Sequence, residues 1–247
     1  MECFEKPDFR ELTPEKIKAL KRKEIEEEFR TKVRENWDGI AKPIDGMGQF
    51  EVLTAQIGAI LGTDEIDLTR KAVVVLCADN GIVEEGISQS GWEVTAAAAK
   101  SIAEGRSAVG KMAEAIGARV LTVDMGMKKK EPIEGVLDRK IRCGTRNFRR
   151  QPAMTEQETL RSIMVGIQIA KECKREGCSI LATGEMGNGN TTTSSAVTAA
   201  LLKCSASQVA GRGAGLDDQG LARKKQVIDE ALEKYRLYEA DPLTILS

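Results

Sequence analysis

Apolar and polar positions along the chain follow two rhythms. Residues 71–79, KAVVVLCAD, form one continuous apolar run closed by an aspartate. That is the pattern of a strand buried on both faces of a parallel sheet. Residues 119–123 (RVLTV) and 178–182 (CSILA) predict two more strands, and residues 205–209 (SASQV) a short fourth. Between them, helical spacing covers residues 50–61, 93–103, 107–116, 155–177 and 221–238, and an Ala-rich helix follows Thr191. Thr155, with Gln157 and Glu158 close behind, reads as a partial capping box. After Lys128-Lys129-Lys130 the chain reads as irregular up to Arg150. The alternation of strand and helix implies an α/β fold of three layers with a mostly parallel sheet.

Ahead of that region, residues 1–40 are highly charged, with Leu20, Ile25, Phe29 and Val33 near helical spacing and Trp37 one turn on. They predict an N-terminal helical arm of one or two exposed amphipathic helices, leaving residues 41–247 as the α/β domain.

The chain is organised around residues 183–201, TGEMGNGNTTTSSAVTAAL. A strand leads into Gly184, Gly187 and Gly189, then into Asn188, Asn190, Thr191 and Thr192 and a helix. Glycines let backbone approach a ligand closely. The free N–H groups of a first helical turn suit an anion such as phosphate, and the hydroxyls either cap the helix or donate to that anion. An ordinary capped turn also fits this pattern; Glu185 at the strand tip favours a functional one. No Lys follows the last glycine, so this is not a P-loop. A second glycine-rich turn, Gly211-Arg212-Gly213-Ala214-Gly215, follows the predicted fourth strand and could close on the same ligand. Asp79 ends the first strand where α/β crevices lie. Arg142, Arg146 and Arg149 form a local basic cluster able to meet a phosphate or a carboxylate.

Composition narrows the chemistry. A net charge of −1 provides no global field for nucleic acid or an acidic membrane. No apolar run approaches bilayer length and the N-terminus has no signal-peptide core, so the expected location is the cytoplasm. Histidine is absent, which removes Ser-His-Asp and Cys-His catalysis and His-metal chemistry. Proton transfer falls to Asp, Glu, Lys, Tyr or Cys. The six cysteines, Cys3 included, form no C-x-x-C pair and read as reduced thiols, with Cys77 in the core.

Several ordered stretches resemble one family. GEMGNGNTT at 184–192 resembles the signature of the nicotinate-nucleotide–dimethylbenzimidazole phosphoribosyltransferases, which activate the lower ligand of cobalamin. KPIDGMGQFEVLTAQIGAI (42–60), CADNGIVEEGIS (77–88), EVTAAAAKSIAEGRSAVGKMAEAIGARVLTVDMGM (93–127), RCGTRNFRRQPAMT (142–155) and GRGAGLDDQGLARK (211–224) continue the resemblance in the same order. It implies a Rossmann-like fold with a small helical part, in a homodimer, and no metal or cofactor. It also implies transfer of 5-phosphoribose from nicotinate mononucleotide to 5,6-dimethylbenzimidazole or a similar base, giving α-ribazole 5′-phosphate and nicotinate. On this resemblance the turns at 184–189 and 211–215 seat phosphate and ribose, Glu185 faces the ribose, Ser88 lies in the acceptor pocket, and Trp92 offers a stacking face. Three departures are visible. Asn80 stands where the family usually has His, and Gln89-Ser90-Gly91-Trp92 differs from the usual acceptor loop. The family's catalytic Glu lies in a C-terminal segment with no match in this chain, so a separate C-terminal chain is a further expected partner. An inactive nucleotide-binding module, or a related transferase with another acceptor base, fits the same residues.

Overall fold

A computed structural model describes residue 9, residues 12–21 and residues 23–247; Cys3 lies outside them. In chain order the elements are α1 (Pro14–Lys18), α2 (Glu27–Asp38), α3 (Gln49–Leu61), β1 (Lys71–Ala78), a 3₁₀ turn (Gly81–Glu85), α4 (Glu93–Ala103), α5 (Ala108–Ala115), β2 (Arg119–Gly126), β3 (Val136–Asp138), α6 (Glu156–Arg175), β4 (Ile180–Met186), α7 (Asn190–Leu202), α8 (Ala206–Val209), α9 (Asp218–Lys234) and α10 (Pro242–Leu246).

The four strands form one parallel sheet in the order β3-β2-β1-β4. The continuous apolar run of β1 has the reason the pattern implied. Val73, Val75 and Cys77 pack toward Ala99 and Ile102 of α4, while Val74 and Leu76 pack toward Val165, Ile169 and Cys173 of α6. Side chains alternate along a strand, so both faces are covered and the molecule has three layers. A third cluster joins α7, α9 and α10 through Ala196, Ala199, Ala200, Ile228, Leu232 and Ile245. It holds the helix that follows the first glycine turn.

The sequence expectations need three corrections. Residues 206–209 form a helix, α8, instead of a fourth strand. Ala206 is fully buried against the α7–α9 cluster and its amide donates to Asp229 Oδ1 at 2.8 Å. A short apolar stretch cannot be typed by periodicity, and here packing on helices decides it. The segment after Lys130 contains β3, whose apolar signal is too short to show a period. The third predicted strand extends through Gly184 and Glu185 to Met186, because pairing with β1 continues to Cys77↔Met186.

Helices of the predicted arm are present as α1 and α2. Of the predicted stripe only Val33 is fully buried, whereas Leu20 and Ile25 are exposed. α2 pairs with α3: Trp37 Nε1 donates to Thr54 Oγ1 at 2.8 Å and meets Phe50 edge-on at 5.8 Å. The loop between them is held by an ion pair from Lys42 to buried Glu51 at 2.9 Å. Ile44, Phe50, Leu53 and Ile60 remain exposed.

The capping box of α6 is complete: Thr155 Oγ1 accepts from the Glu158 amide and Glu158 accepts from the Thr155 amide. Burial alone would raise the Glu158 pKa. The Arg146 guanidinium, the Thr155 amide and the Arg142 charge outweigh it and hold the carboxyl at about 2. Stability from this group is present above its unfolded value near 4.5 and is lost as pH falls toward about 2. Glu158→Gln is expected to flatten that acid slope, read as urea midpoints between about pH 5 and about pH 2. Thr155→Ala is expected to cost about 1 kcal/mol at neutral pH in the same assay.

Candidate active site

Strand order reverses between β1 and β4, and ligands of open α/β sheets bind outside the carboxyl ends of strands at that point. Here the two strand tips are stitched together. The Asn80 amide and Asn80 Nδ2 donate to the Asn188 carbonyl at 3.2 and 3.1 Å, and Thr193 Oγ1 donates to Asn80 Oδ1 at 2.9 Å. Asn80 therefore acts as a brace at the position where the resemblance leads one to look for a histidine. Two glycines make this approach possible. A Cβ on Gly187 would lie 2.2 Å from the Ala78 carbonyl, and one on Gly189, at φ 81°, would lie 2.8 Å from Val83 Cγ2. Gly184 lies within β4 and has room for a Cβ.

Asn188 binds the loop that precedes α4. Its carboxamide accepts from Ser88 Oγ and donates to the Ser90 carbonyl, and its amide donates to Thr95 Oγ1 at 3.1 Å. Ser88 and Asn188 thus meet each other. Asp79 is buried, and its Oδ2 accepts from the Lys128 amide at 2.7 Å. Its Oδ1 has no partner among the described residues.

The start of α7 differs from the expected set of free amides. Gly189 occupies the N-cap with no side-chain cap. The Asn190 amide bonds to the Gly187 carbonyl, the Thr191 amide to Asn190 Oδ1, and the Thr192 amide to the Gly189 carbonyl. Thr192 is wholly buried and its hydroxyl is unpartnered among the described residues. The hydroxyls of α7 line a cleft along the side of the helix. A cleft of about 320 Å³ runs between Thr191, Ser194, Ser195 and Thr198 on one wall and Val209, Gly211 and Gly213 on the other. The second glycine turn therefore does meet the first, although it follows α8 and not a strand.

Lys224 of α9 joins the two turns. Its Nζ donates to Thr191 Oγ1 at 2.8 Å and to the Gly211 carbonyl at 3.0 Å. The residue is 1% exposed and has no carboxylate partner among the described residues. Burial pushes its pKa down. Buried charge is costly unless paired, and Lys224 lies directly behind Thr191 and Gly211 of the cleft wall. Sequence reading missed Lys224. The available signal was its place on the apolar stripe of its helix, at three, four and seven residues before Val227, Ile228 and Ala231. Around it, Gly213 has φ 58°, the Gly215 carbonyl accepts from Gln89 Nε2 at 2.6 Å, and Arg212 closes its own loop onto Asp218 and the Leu216 carbonyl.

Glu185 lies at the end of β4. Partial burial raises its carboxyl pKa, and a hydrogen bond from Asn190 Nδ2 opposes that rise. A continuous polar path runs from Glu185 through Asn190 and Thr191 to Lys224. Trp92 lines a different groove, together with Lys100 and Lys128. The basic cluster is turned to the protein's own carboxylates: Arg142 and Arg146 to Glu158, and Arg149 to Glu85 and Glu230. Burial, with the charges of Asp124, Glu185 and Asp79, pushes the Cys77 thiol up to about 12, so it is an inert core residue. Among the described residues no helix is long and apolar enough to cross a membrane.

Fold and site together define an α/β protein whose two glycine turns meet at a hydroxyl-lined cleft beyond the β4 tip. The family model described as phosphoribosyltransferase matches residues 23–247, and the chain belongs to that family. It is 39% identical over 215 residues to the nicotinate-nucleotide–dimethylbenzimidazole phosphoribosyltransferase of Acetivibrio thermocellus, covering 87% of this chain and 61% of that protein. The enzyme of the same name from Chloroflexus aurantiacus is 38% identical over 224 residues, covering 90% and 64%. A crystal structure of CobT from Thermus thermophilus superimposes with a TM-score of 0.83 at 36% identity, covering 89% of this chain and 66% of that one. The chain thus spans about three fifths of the length of the curated relatives it matches.

Gly187→Ala is expected to separate the strand tips, since the nearest atom is backbone that cannot give way. The expected result is a loss of about 2 kcal/mol or more in denaturant unfolding together with loss of phosphate binding. Gly184→Ala, with its nearest neighbour at 3.4 Å, is expected to leave binding nearly unchanged.

Proposed function

We propose that this chain carries the phosphoribosyl-transfer chemistry its relatives are named for. The donor is nicotinate mononucleotide, and the acceptor is 5,6-dimethylbenzimidazole or a similar base. The products are α-ribazole 5′-phosphate and nicotinate, formed in cobalamin biosynthesis. The observation that carries this reading is Lys224, a buried cation without a counter-charge that joins two glycine turns beside a hydroxyl-lined cleft. A phosphate monoester supplies the missing charge, accepting from Lys224 and from the hydroxyls of Thr191, Ser194 and Thr198.

In the reaction the bond from the ribose anomeric carbon to the pyridinium nitrogen breaks, and its electron pair leaves with nicotinate. A lone pair of the acceptor nitrogen attacks the opposite face. Positive charge builds on the sugar as the old bond stretches, and a nearby carboxylate favours that state. We assign this role to Glu185, near the phosphate end of the site through Asn190 and Thr191. The acceptor's ring N–H must lose its proton to a base. Glu185, at the β4 tip and hydrogen-bonded by Asn190, is the carboxylate we assign to receive it. The reaction needs no metal or cofactor. Ser88 and Asn188 frame the acceptor side by fixing the loop between them. The protein is assigned to the cytoplasm and to a homodimer. The apolar face formed by Ile44, Phe50, Leu53 and Ile60 supports self-association.

Binding of nicotinate mononucleotide, measured by calorimetry, tests the reading; no heat at millimolar ligand would refute it. With dimethylbenzimidazole present, chromatography with mass detection is expected to show α-ribazole phosphate. Lys224→Met is expected to weaken donor binding on the order of tenfold or more, the scale of a charge-assisted contact to phosphate. Its melting temperature is expected to hold or rise, because a buried charge is replaced by an apolar side chain of similar length. Glu185→Gln is expected to lower kcat about tenfold or more with little change in donor affinity, as required of a group that acts on the transition state.

A further inference from the structure

A second groove, of about 680 Å³, lies between α4 and the loop that follows β2. It shares no lining residue with the hydroxyl cleft. Trp92 stands at one end, 48% exposed. The floor is apolar: Ala96 and Ile133 belong to the core cluster beneath α4, and Ala97 and Pro132 continue it. The rim carries Lys100, Lys128, Lys129 and Lys130.

The loop bearing three of these lysines is held rigid from below. Lys140 Nζ donates to the carbonyls of Met127 and Lys129 at 2.6 and 2.8 Å and pairs with Asp124 at 2.8 Å. The Lys128 amide is fixed by Asp79, and the Lys128 stem lies where a Cβ on Gly144 would sit 3.0 Å from its Cγ. Three acids share the lining, Glu93, Glu131 and Glu134. Glu93 folds its carboxylate under Gly91, and Glu131 pairs with Lys129 at 3.4 Å. Lys100 reaches Glu104 at 3.9 Å, whereas Lys128 and Lys130 have no ion pair among the described residues. An aromatic face, an apolar floor and unpaired ammonium groups thus share one preorganised groove.

We propose that this groove is a binding site for a nucleoside diphosphate. The base lies on Trp92 and the apolar floor, and the phosphates meet Lys100, Lys128 and Lys130. Aromatic faces hold bases by stacking, and lysines hold phosphate as point charges. Length favours a nucleotide over a small aromatic acid. Eight residues of helix separate Trp92 from Lys100, about 12 Å at helical rise, which a single substituted ring does not span. The lysines are confined to one short groove, which suits a free nucleotide better than a long nucleic acid.

The test is titration of the unaltered chain with ADP by calorimetry, paired with fluorescence of Trp37→Phe, which leaves Trp92 as the sole indole. ADP is expected to release heat and quench Trp92. Adenosine alone and inorganic diphosphate alone are each expected to bind at least tenfold more weakly. Trp92→Ala and the double variant Lys128→Gln/Lys130→Gln are each expected to cost at least fivefold in ADP affinity. Excess ribose 5-phosphate is expected to displace no ADP, which separates this groove from the cleft at Lys224. Absence of ADP heat in the unaltered chain overturns the proposal. Diphosphate binding as tightly as ADP reduces the groove to a surface anion contact and overturns it equally. Displacement by ribose 5-phosphate, or unchanged ADP affinity in Trp92→Ala, places ADP in the other site and overturns it too.

Discussion

Seven residue pairs lock β1 to β4, from Lys71↔Ile180 to Cys77↔Met186. Side-chain direction has a period of two in a strand, so register decides what faces where. In this register Glu185 stands beside Leu76 and Asn188 arrives beside Asn80. A slip of one residue would turn Glu185 to the opposite face and remove the carbonyl that Asn80 binds. β1 is held on its other side by β2, and there the register shifts between Cys77 and Ala78. Such an irregularity bends a strand locally. It comes immediately before Asp79, where the chain leaves the sheet and enters the crevice.

From that fixed edge the rest of the site is built by small residues and one large charge. Gly187 and Gly189 bring α7 against the tip of β1. The α7–α9 packing then carries Lys224 underneath the second glycine turn. The ammonium has two neutral acceptors, a hydroxyl and a carbonyl, which satisfy its hydrogen-bonding capacity in part and its charge not at all. Lining hydroxyls add donors at no charge cost. The resulting cleft is lined by hydroxyls, with a buried ammonium behind Thr191 and Gly211.

Much of this was readable from residues. The run at 71–79 identified the central strand, since a strand covered on both faces tolerates an unbroken series of apolar side chains. The capping box at Thr155 followed local rules and appears as they predict, whereas Leu20 and Ile25 of the predicted arm stripe lie outside both α1 and α2. The family was legible because its motifs recur in order. What escaped depended on neighbours distant in sequence. Residues 206–209 chose helix because two helices were there to receive Ala206. Gly184 and Glu185 joined a strand because β1 offered hydrogen bonds. Lys224 was hidden by being one lysine of a charged helix; its place on the apolar stripe was the faint signal, and its burial confirms it. Arg142, Arg146 and Arg149 looked like ligand groups until their own carboxylates were seen beside them.

The β1–β4 pairing also dictates a sequence of assembly. β1, β2 and β3 are close along the chain, whereas Lys71 and Ile180 are joined across about 110 residues. Closing a long loop costs more entropy than closing a short one, and distant pairings form late in folding. The crevice needs that last pairing, because much of it belongs to the tip of β4 and to the helices beyond. A growing chain on the ribosome can therefore acquire its three-stranded sheet before the tip of β4 is in place. The stretch from β4 onward then completes the crevice against a sheet already in place.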